Sequence, residues 1–182
     1  MKLIATSLVT FMFAAAPSFA AGTQAPAAPA VSPTQLMCKT GQVVKTVKVK
    51  GKMSKKCVKA TAGIIPNEDM YQQGRLLAKQ GEYEWAITVL AADTDQNDPN
   101  VLNYLGYANR KAGRLDIALT YYNKALAINP DFILAREYLG EGYVAAGKLD
   151  LAKAQLAKIA RIGGVNSEEY VDLSKAITGA SI

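Results

Sequence analysis

The chain has 182 residues, enough for one modest domain with attached segments. It contains no histidine and only two cysteines, which excludes histidine-based catalytic triads and a complete zinc shell of thiolates and imidazoles. The formal charge of +6 is unevenly distributed, because residues 21–66 carry eight lysines and no acid, whereas residues 67–182 carry twelve basic and fifteen acidic side chains. A basic arm is thus joined to a slightly acidic body.

Residues 1–20 have the pattern of a cleaved export signal. A lysine at position 2 is followed by an apolar run, and Ser18 and Ala20 place small residues at both recognition positions of a cleavage site. The apolar run is short for a membrane span, and a retained anchor is the alternative. Because Ala21 and not cysteine follows the cleavage point, we expect no lipid anchor. The sequence predicts a periplasmic or secreted mature protein without a transmembrane segment.

The next two segments differ in composition. Residues 21–34 contain three prolines among small residues, which predicts an extended linker. In the lysine-rich segment 35–62, valines at 47 and 49 alternate with polar residues, which predicts a strand. Lys50-Gly51-Lys52 can turn the chain so that a second strand returns over residues 53–58. A lone hairpin is marginally stable in water, and we expect a Cys38–Cys57 disulfide to close its open end.

The lysines of this predicted hairpin have two interpretations. They bind an anionic surface, such as an envelope polymer or lipid headgroups, or they keep an edge-exposed hairpin soluble and prevent it from pairing with other strands. No aromatic residue interleaves with the lysines, which argues against specific nucleic-acid recognition.

A repeat follows residue 66. Three stretches align without gaps, and each has a glycine, a second glycine seven residues later and an alanine five residues after that. The three sets are Gly74-Gly81-Ala86, Gly106-Gly113-Ala118 and Gly140-Gly147-Ala152. Their spacings of 32 and 34 residues indicate stacked helical hairpins. The first glycine lets the two helices of a hairpin approach closely, the second ends the first helix in a left-handed conformation, and the alanine lies where neighbouring helices pack.

The middle unit, residues 99–132, has the fullest pattern of leucine, small, aromatic and proline residues: Leu105, Gly106, Gly113, Ala118, Tyr122, Ala125 and Pro130. This pattern resembles the tetratricopeptide repeat, and with the export signal the chain is similar to exported bacterial members of that family. The resemblance implies an all-α, right-handed solenoid of about three helical hairpins over 67–98, 99–132 and 133–164. The outer units depart from the pattern at several positions: Gln73, Asp93, Asp98, Ile159 and Gly164.

A seventh helix is predicted over residues 166–178. Asn166 and Ser167 are good capping residues, acids follow in the first turn, and Tyr170, Leu173 and Ile177 recur on one face. We expect this helix to cover the apolar end of the last repeat. The alternative is a detachable helix that binds a partner.

Little in the sequence supports catalysis. The glycines lack the Lys-Ser/Thr ending of a phosphate-binding loop. Asp93, Asp95 and Asn97 begin like a calcium loop, but Asp98 stands where glycine is required and Tyr104 where the closing glutamate belongs. We expect no metal, no cofactor and no enzymatic activity, and interpret these acids as a solvated turn.

The family resemblance implies that the first helices of the hairpins line a groove that binds another polypeptide. At the corresponding positions this chain has tyrosines and charged residues of the kind found in interface hot spots. They are Tyr71, Arg75, Lys79, Asn103, Tyr104, Tyr107, Arg110, Lys111, Glu137, Tyr138 and Glu141. The alternative is that some of these tyrosines only pack between helices. The clamp that grips a terminal carboxylate in chaperone-binding members is missing, although Arg75, Arg110 and Lys111 are available to attract an acidic segment.

The leading hypothesis is therefore a non-catalytic interaction scaffold or assembly factor of the cell envelope, which binds a peptide of another protein in the groove. The alternative is that the basic hairpin binds an anionic surface and the repeats act as a spacer.

Overall fold

The computed structural model describes residues 38–180. The predicted signal peptide (1–20) and linker (21–34) lie outside the described residues. Over the described residues, two strands are followed by seven helices: β1 (Gln42–Val49), β2 (Lys52–Lys59), α1 (Asn67–Lys79), α2 (Tyr83–Ala91), α3 (Pro99–Lys111), α4 (Leu115–Ile128), α5 (Ile133–Ala145), α6 (Leu149–Ile162) and α7 (Glu168–Gly179).

The two strands form an antiparallel hairpin with a two-residue turn. Val49 pairs with Lys52 across the turn, and Lys50 and Gly51 have φ angles of 48° and 82°. Two successive positive φ angles are typical of a type I′ turn, whose twist matches that of the flanking strands. The second strand begins one residue earlier than predicted, at Lys52, because the turn needs only two residues.

The predicted disulfide joins Cys38 to Cys57. It ties the coil before β1 to the second strand, and the ladder extends past the strands through a hydrogen bond from Ala60 N to Gly41 O (2.9 Å). The open end of the hairpin is thus held covalently, as expected from the sequence.

The hairpin docks on the first helical pair. The side-chain amide of Gln73 in α1 contacts the outer edge of β1, where it accepts a hydrogen bond from Val44 N (2.6 Å) and donates one to Val44 O (3.0 Å). Trp85 Nε1 of α2 donates to Gln42 O (2.9 Å). An apolar cluster joins the two parts: Val43, Ala60, Ile65, Met70 and Val89.

The helices pair as α1–α2, α3–α4 and α5–α6, and the first glycine of each unit lies at a close approach. A Cβ on Gly74 would lie 2.5 Å from Leu90, and one on Gly106 would lie 2.6 Å from Tyr122, distances that real side chains do not adopt. In the third unit the atoms nearest to a Cβ on Gly140 belong to Leu173 of α7, at 2.5 Å. This glycine therefore makes room for the last helix, which differs from the role expected within its own hairpin.

The other repeated positions behave as predicted. Gly81, Gly113 and Gly147 have φ angles of 87°, 82° and 70°, and each ends the first helix of its unit. After α3, Arg114 N donates to Asn109 O (2.8 Å), the long-range bond of a glycine-terminated helix. The three repeated alanines of the second helices are fully buried.

Helix α7 closes the last repeat. Ser167 Oγ accepts a hydrogen bond from Tyr170 N (3.2 Å) and caps the helix. Leu173 and Ile177 are buried together with Ala152 and Ile159 of α6, which confirms the predicted cap. Among the helices between residues 38 and 180, none is both long and apolar enough to cross a membrane.

Candidate binding groove

The first helices and α7 form one surface, which we call the groove face, and a row of tyrosine rings crosses it. The ring centroids of Tyr71 and Tyr104 are 5.9 Å apart, those of Tyr104 and Tyr107 are 6.0 Å apart, and those of Tyr107 and Tyr138 are 5.1 Å apart. The four rings come from α1, α3 and α5 and interact in tilted or edge-on geometries. We call them the aromatic stripe.

Cations of the chain hold the stripe in place. Arg75 Nε donates to the Tyr104 hydroxyl (3.1 Å), and Lys79 Nζ donates to the Tyr138 hydroxyl (2.9 Å). Lys79 Nζ also lies 4.9 Å from the ring centroid of Tyr107, within the range of a cation–π interaction. Because these partners lie on different helices, the bonds fix the ring orientations across repeat boundaries.

Arg110 joins three helices beneath the stripe. Its guanidinium pairs with Glu141 of α5 and donates to the Tyr122 hydroxyl of α4 (3.3 Å). The Arg110 side chain is only 12% exposed. This arginine is therefore engaged within the protein, although the sequence suggested that it was available to an acidic segment.

The eleven candidate residues differ in their exposure. Asn103 is fully buried, and Tyr104 and Tyr138 are nearly so. The half-buried candidates on the groove face include Tyr71, Tyr107 and Glu141. Three others are exposed, namely Arg75, Lys79 and Lys111. The tyrosines thus divide into two that pack between helices and two that a ligand can touch.

Burial raises the pKa of three tyrosines of the stripe, namely Tyr71, Tyr107 and Tyr138. Burial raises the pKa of Tyr71 to about 12, with a further contribution from Tyr104. Burial also raises the pKa of Tyr138, and the neighbouring Tyr104 and Glu137 add to that shift. At physiological pH these three tyrosines therefore remain neutral phenols, which can accept and donate hydrogen bonds.

A pocket of about 280 Å³ opens on the groove face between α1, α3, α5 and α7. We call it the acidic pocket, and it is lined by five carboxylates, two lysines, two tyrosines and a leucine: Glu137, Glu141, Glu168, Glu169, Asp172, Lys79, Lys111, Tyr107, Tyr138 and Leu134. Its three α7 acids were not among the predicted groove residues. The spacing of Glu168, Glu169 and Asp172 on α7 was the available signal, but the first two were interpreted as helix-capping charges.

The acidic turn before α3 is held by its own backbone. Asp93 Oδ1 accepts a hydrogen bond from Asp95 N (2.9 Å), Asp95 Oδ1 accepts one from Asn97 N (3.1 Å), and Asp98 Oδ1 caps α3 by accepting one from Asn100 N (2.7 Å). Within residues 38–180, no group of three or more histidine, cysteine or acidic side chains is arranged to hold a metal ion.

Stacked antiparallel helix pairs, whose first helices contribute side chains to one continuous surface, define a helical-repeat solenoid. The family model of the tetratricopeptide repeat matches residues 99–132. The chain is 31% identical to MamA of MSR-1, over 63% of this chain and 67% of that one, with a TM-score of 0.51. The chain belongs to the tetratricopeptide repeat family.

Two further solved structures share the fold. The first tetratricopeptide domain of Spaghetti (RPAP3), bound to an HSP90 peptide, is 23% identical over 63% of this chain and 92% of that domain, with a TM-score of 0.55. The Yersinia enterocolitica type III secretion chaperone SycD, in complex with a peptide of the translocator YopD, is 22% identical over 62% of this chain and 87% of that one, with a TM-score of 0.53. No curated protein sequence matches this chain significantly.

Proposed function

We propose that this protein is a non-catalytic scaffold or assembly factor of the cell envelope, whose groove face binds a peptide segment of another protein. The observation that carries the proposal is the aromatic stripe, in which rings from three successive first helices line one surface at centroid distances of 5.1 to 6.0 Å. Such rings provide a large contact area at a low cost in conformational entropy.

The structural neighbours support a peptide as the ligand. RPAP3 and SycD use the same fold and were each solved with a bound peptide. In this chain, Tyr71 and Tyr107 are the stripe residues that remain accessible to such a peptide. Tyr104 and Tyr138 lie beneath them and act as supports, since only 3% and 5% of their surfaces are exposed.

The envelope location rests on two features. The first twenty residues have the charge, apolar run and small-residue cleavage pattern of an export signal. The Cys38–Cys57 disulfide is typical of oxidising compartments, such as the periplasm or the exterior of the cell.

Site-specific crosslinking in intact cells tests the proposal. A photoreactive benzoyl-phenylalanine replaces Tyr107 on the groove face, and the same group replaces Tyr121, a half-buried tyrosine of α4 outside the stripe, as a control. We expect a discrete crosslinked protein from position 107 and none from position 121. Equal crosslinking from both positions, or none from 107, contradicts the proposal.

Binding of the crosslinked partner is then measured with purified variants. We expect Tyr107→Ala to weaken binding by about tenfold or more, because aromatic anchors dominate interface energetics. Tyr121→Ala removes a ring of similar burial and should leave the affinity within about twofold of the wild-type value, provided that both variants retain wild-type circular dichroism.

The export signal is tested separately by N-terminal sequencing. The periplasmic fraction should contain a mature chain that begins at Ala21.

One observation favours the second candidate function, binding of an anionic surface by the hairpin. Lys48, Lys50, Lys52 and Lys55 are exposed, and no lysine of the hairpin forms an ion pair within residues 38–180. Cosedimentation with vesicles containing anionic lipid, at low and high salt, tests this candidate. Binding that falls steeply with salt and is lost when these four lysines become glutamine supports it, whereas salt-independent binding does not.

A further inference from the structure

The acidic pocket contains carboxylates that the protein itself does not pair. Five carboxylates from α5 and α7 line it. Glu141 pairs with Arg110 and Asp172 pairs with Lys175, which leaves Glu137, Glu168 and Glu169 without an ion pair within residues 38–180. Four of the five acids come from α5 or the first turn of α7, so two adjacent helices bring their acids to one opening. Two tyrosines also line the pocket, of which Tyr107 is half-buried and Tyr138 is almost fully buried.

Glu137 is the most unusual member of the pocket. It is 7% exposed, and within residues 38–180 it has neither a hydrogen-bond donor nor an ion-pair partner. Burial raises the pKa of Glu137 to about 8, and the neighbouring Glu141, Asp172 and Glu169 add to the shift, whereas Lys79 opposes it. A buried carboxylate without a partner is costly, and an added cation would relieve that cost.

The nearby cations of the chain already have partners. Lys79 donates to the Tyr138 hydroxyl, and Arg110 pairs with Glu141 and Tyr122. Lys111 lies 5.7 Å from the ring centroid of Tyr107. The place opposite Glu137 is therefore open to a cation from outside.

We propose that the acidic pocket binds the ammonium or guanidinium group of a basic side chain in the bound peptide. The proposal rests on the proposed function, because a peptide must first lie along the groove face. It also gives the peptide a direction, with a basic residue at the α7 end and its aromatic contacts toward α1. Glu137 forms the ion pair, and the α7 acids surround the cation at the mouth of the pocket.

The ion pair should depend on pH. The groups that face Glu137 are Lys79 of α1, Tyr107 and Lys111 of α3, Tyr138 and Glu141 of α5, and three acids of α7: Glu168, Glu169 and Asp172. A cation favours the ionised form of Glu137, so its arrival displaces the proton that the pocket holds near neutral pH. The preference for a cationic ligand should therefore grow as the pH rises from 6.5 to 9, and binding should release a proton.

The test uses four synthetic nine-residue peptides that differ only at the central position, which is lysine, arginine, norleucine or glutamate. Each is titrated into the isotopically labelled full chain, and NMR follows the Glu137 carboxyl carbon and the rings of Tyr71 and Tyr107. At pH 8.5 we expect the lysine and arginine peptides to bind about tenfold more tightly than the norleucine peptide, as one charge-assisted pair allows. The Glu137 pKa should fall when they bind, and the glutamate peptide should bind most weakly.

A matched pair of variants assigns the effect. Glu137→Gln removes the buried charge without changing the shape, and it should reduce the preference for lysine over norleucine to about twofold or less. Glu82→Gln makes the same change at an exposed glutamate outside the acidic pocket and should keep the full preference.

The outcomes separate this proposal from the proposed function. The acidic-pocket proposal is overturned if all four peptides bind equally, or if the Glu137 signal does not respond to the lysine and arginine peptides. Crosslinking at position 107 tests the groove function independently of this result. Self-association of the wild-type chain that is lost in Glu137→Gln also overturns the acidic-pocket proposal, because a lysine of a second copy then fills the pocket.

Discussion

The docking of the hairpin depends on one side chain that departs from the repeat pattern, and this allows a sharp prediction. The pattern calls for leucine at position 73, and the variant Gln73→Leu restores it. The change removes both hydrogen bonds between the Gln73 side chain and the backbone of Val44. A net contribution of about 1 kcal/mol for each bond gives about 2 kcal/mol, or roughly a 30-fold rise in the undocked fraction of the hairpin.

Hydrogen exchange followed by NMR measures this change directly. The Val44 amide donates to Gln73 in the wild type, and its exchange should accelerate by roughly 30-fold in the variant if local undocking limits it. Because the apolar cluster around Val43 and Met70 remains, the hairpin should loosen without detaching. Amides in the centre of α3, such as that of Leu105, should exchange at the wild-type rate, since α3 lies outside the docking interface.

Gln72→Leu is the matched control. Gln72 precedes Gln73 in α1, but its side chain is exposed and bonds only to Glu68, one turn earlier. The Val44 amide should exchange at nearly the wild-type rate in this variant. Unchanged exchange in Gln73→Leu, or equal acceleration in both variants, would refute the account of the docking.

Three further changes have defined outcomes. Gly106→Ala should lower the free energy of unfolding in urea by up to about 2 kcal/mol, because overpacking against Tyr122 costs about 1–3 kcal/mol and alanine regains about 1 kcal/mol in helix propensity. Gly179→Ala, at a helical glycine with open space around it, should not be destabilising. Reduction of the Cys38–Cys57 disulfide should cost the hairpin about 3 kcal/mol and make it, but not the helices, sensitive to limited proteolysis. Glu137 keeps a proton in the folded state that the unfolded chain loses, since its folded pKa is about 8 against an ordinary value of 4.5. Wild-type stability should thus fall relative to Glu137→Gln as the pH rises from 5 to 8, and parallel curves from thermal melts would contradict this assignment.

The helical hairpins and the strand hairpin could be predicted from the sequence because the residues that specify their turns are local. A glycine at the end of each first helix has no good substitute in the left-handed conformation, so its recurrence marks the hairpin turns. The Lys50-Gly51 turn is equally local, since its two positive φ angles suit the pair of strands on either side.

The first repeat shows where the sequence pattern alone is insufficient. The sequence shows Gln73 only as a departure from the family pattern, and Asp93 as a departure that belongs to a solvated turn, yet both have structural roles. Gln73 anchors the hairpin, and Asp93 is buried in the turn that precedes α3, where it accepts a hydrogen bond from Asp95 N. The repeat pattern describes contacts between repeats, whereas these two residues make contacts that only this chain has.

The positions of the candidate groove residues could be predicted only in part from the sequence. Helical periodicity places Tyr71, Tyr104 and Tyr107 on first helices, but it does not say which rings are covered by their neighbours. The pairing of Arg110 with Glu141 spans 31 residues and two repeats, and it depends on the superhelical packing of α3 against α5. The contribution of α7 to the acidic pocket was missed for the same reason, because nothing local to α7 shows which surface its acids face.

The charge available to a ligand on the groove face depends on which of its charged side chains already have partners within the protein. Arg75 and Lys79 each donate to a tyrosine hydroxyl, and Arg110 pairs with Glu141, so the basic residues act first as supports for the rings. An incoming acidic segment would have to compete with these bonds and also approach the α7 acids. An incoming basic side chain meets neither obstacle and finds Glu137 without a partner. The pairing pattern thus favours a ligand with a positive charge near α7, which reverses the acidic-segment hypothesis that a count of groove arginines and lysines suggests.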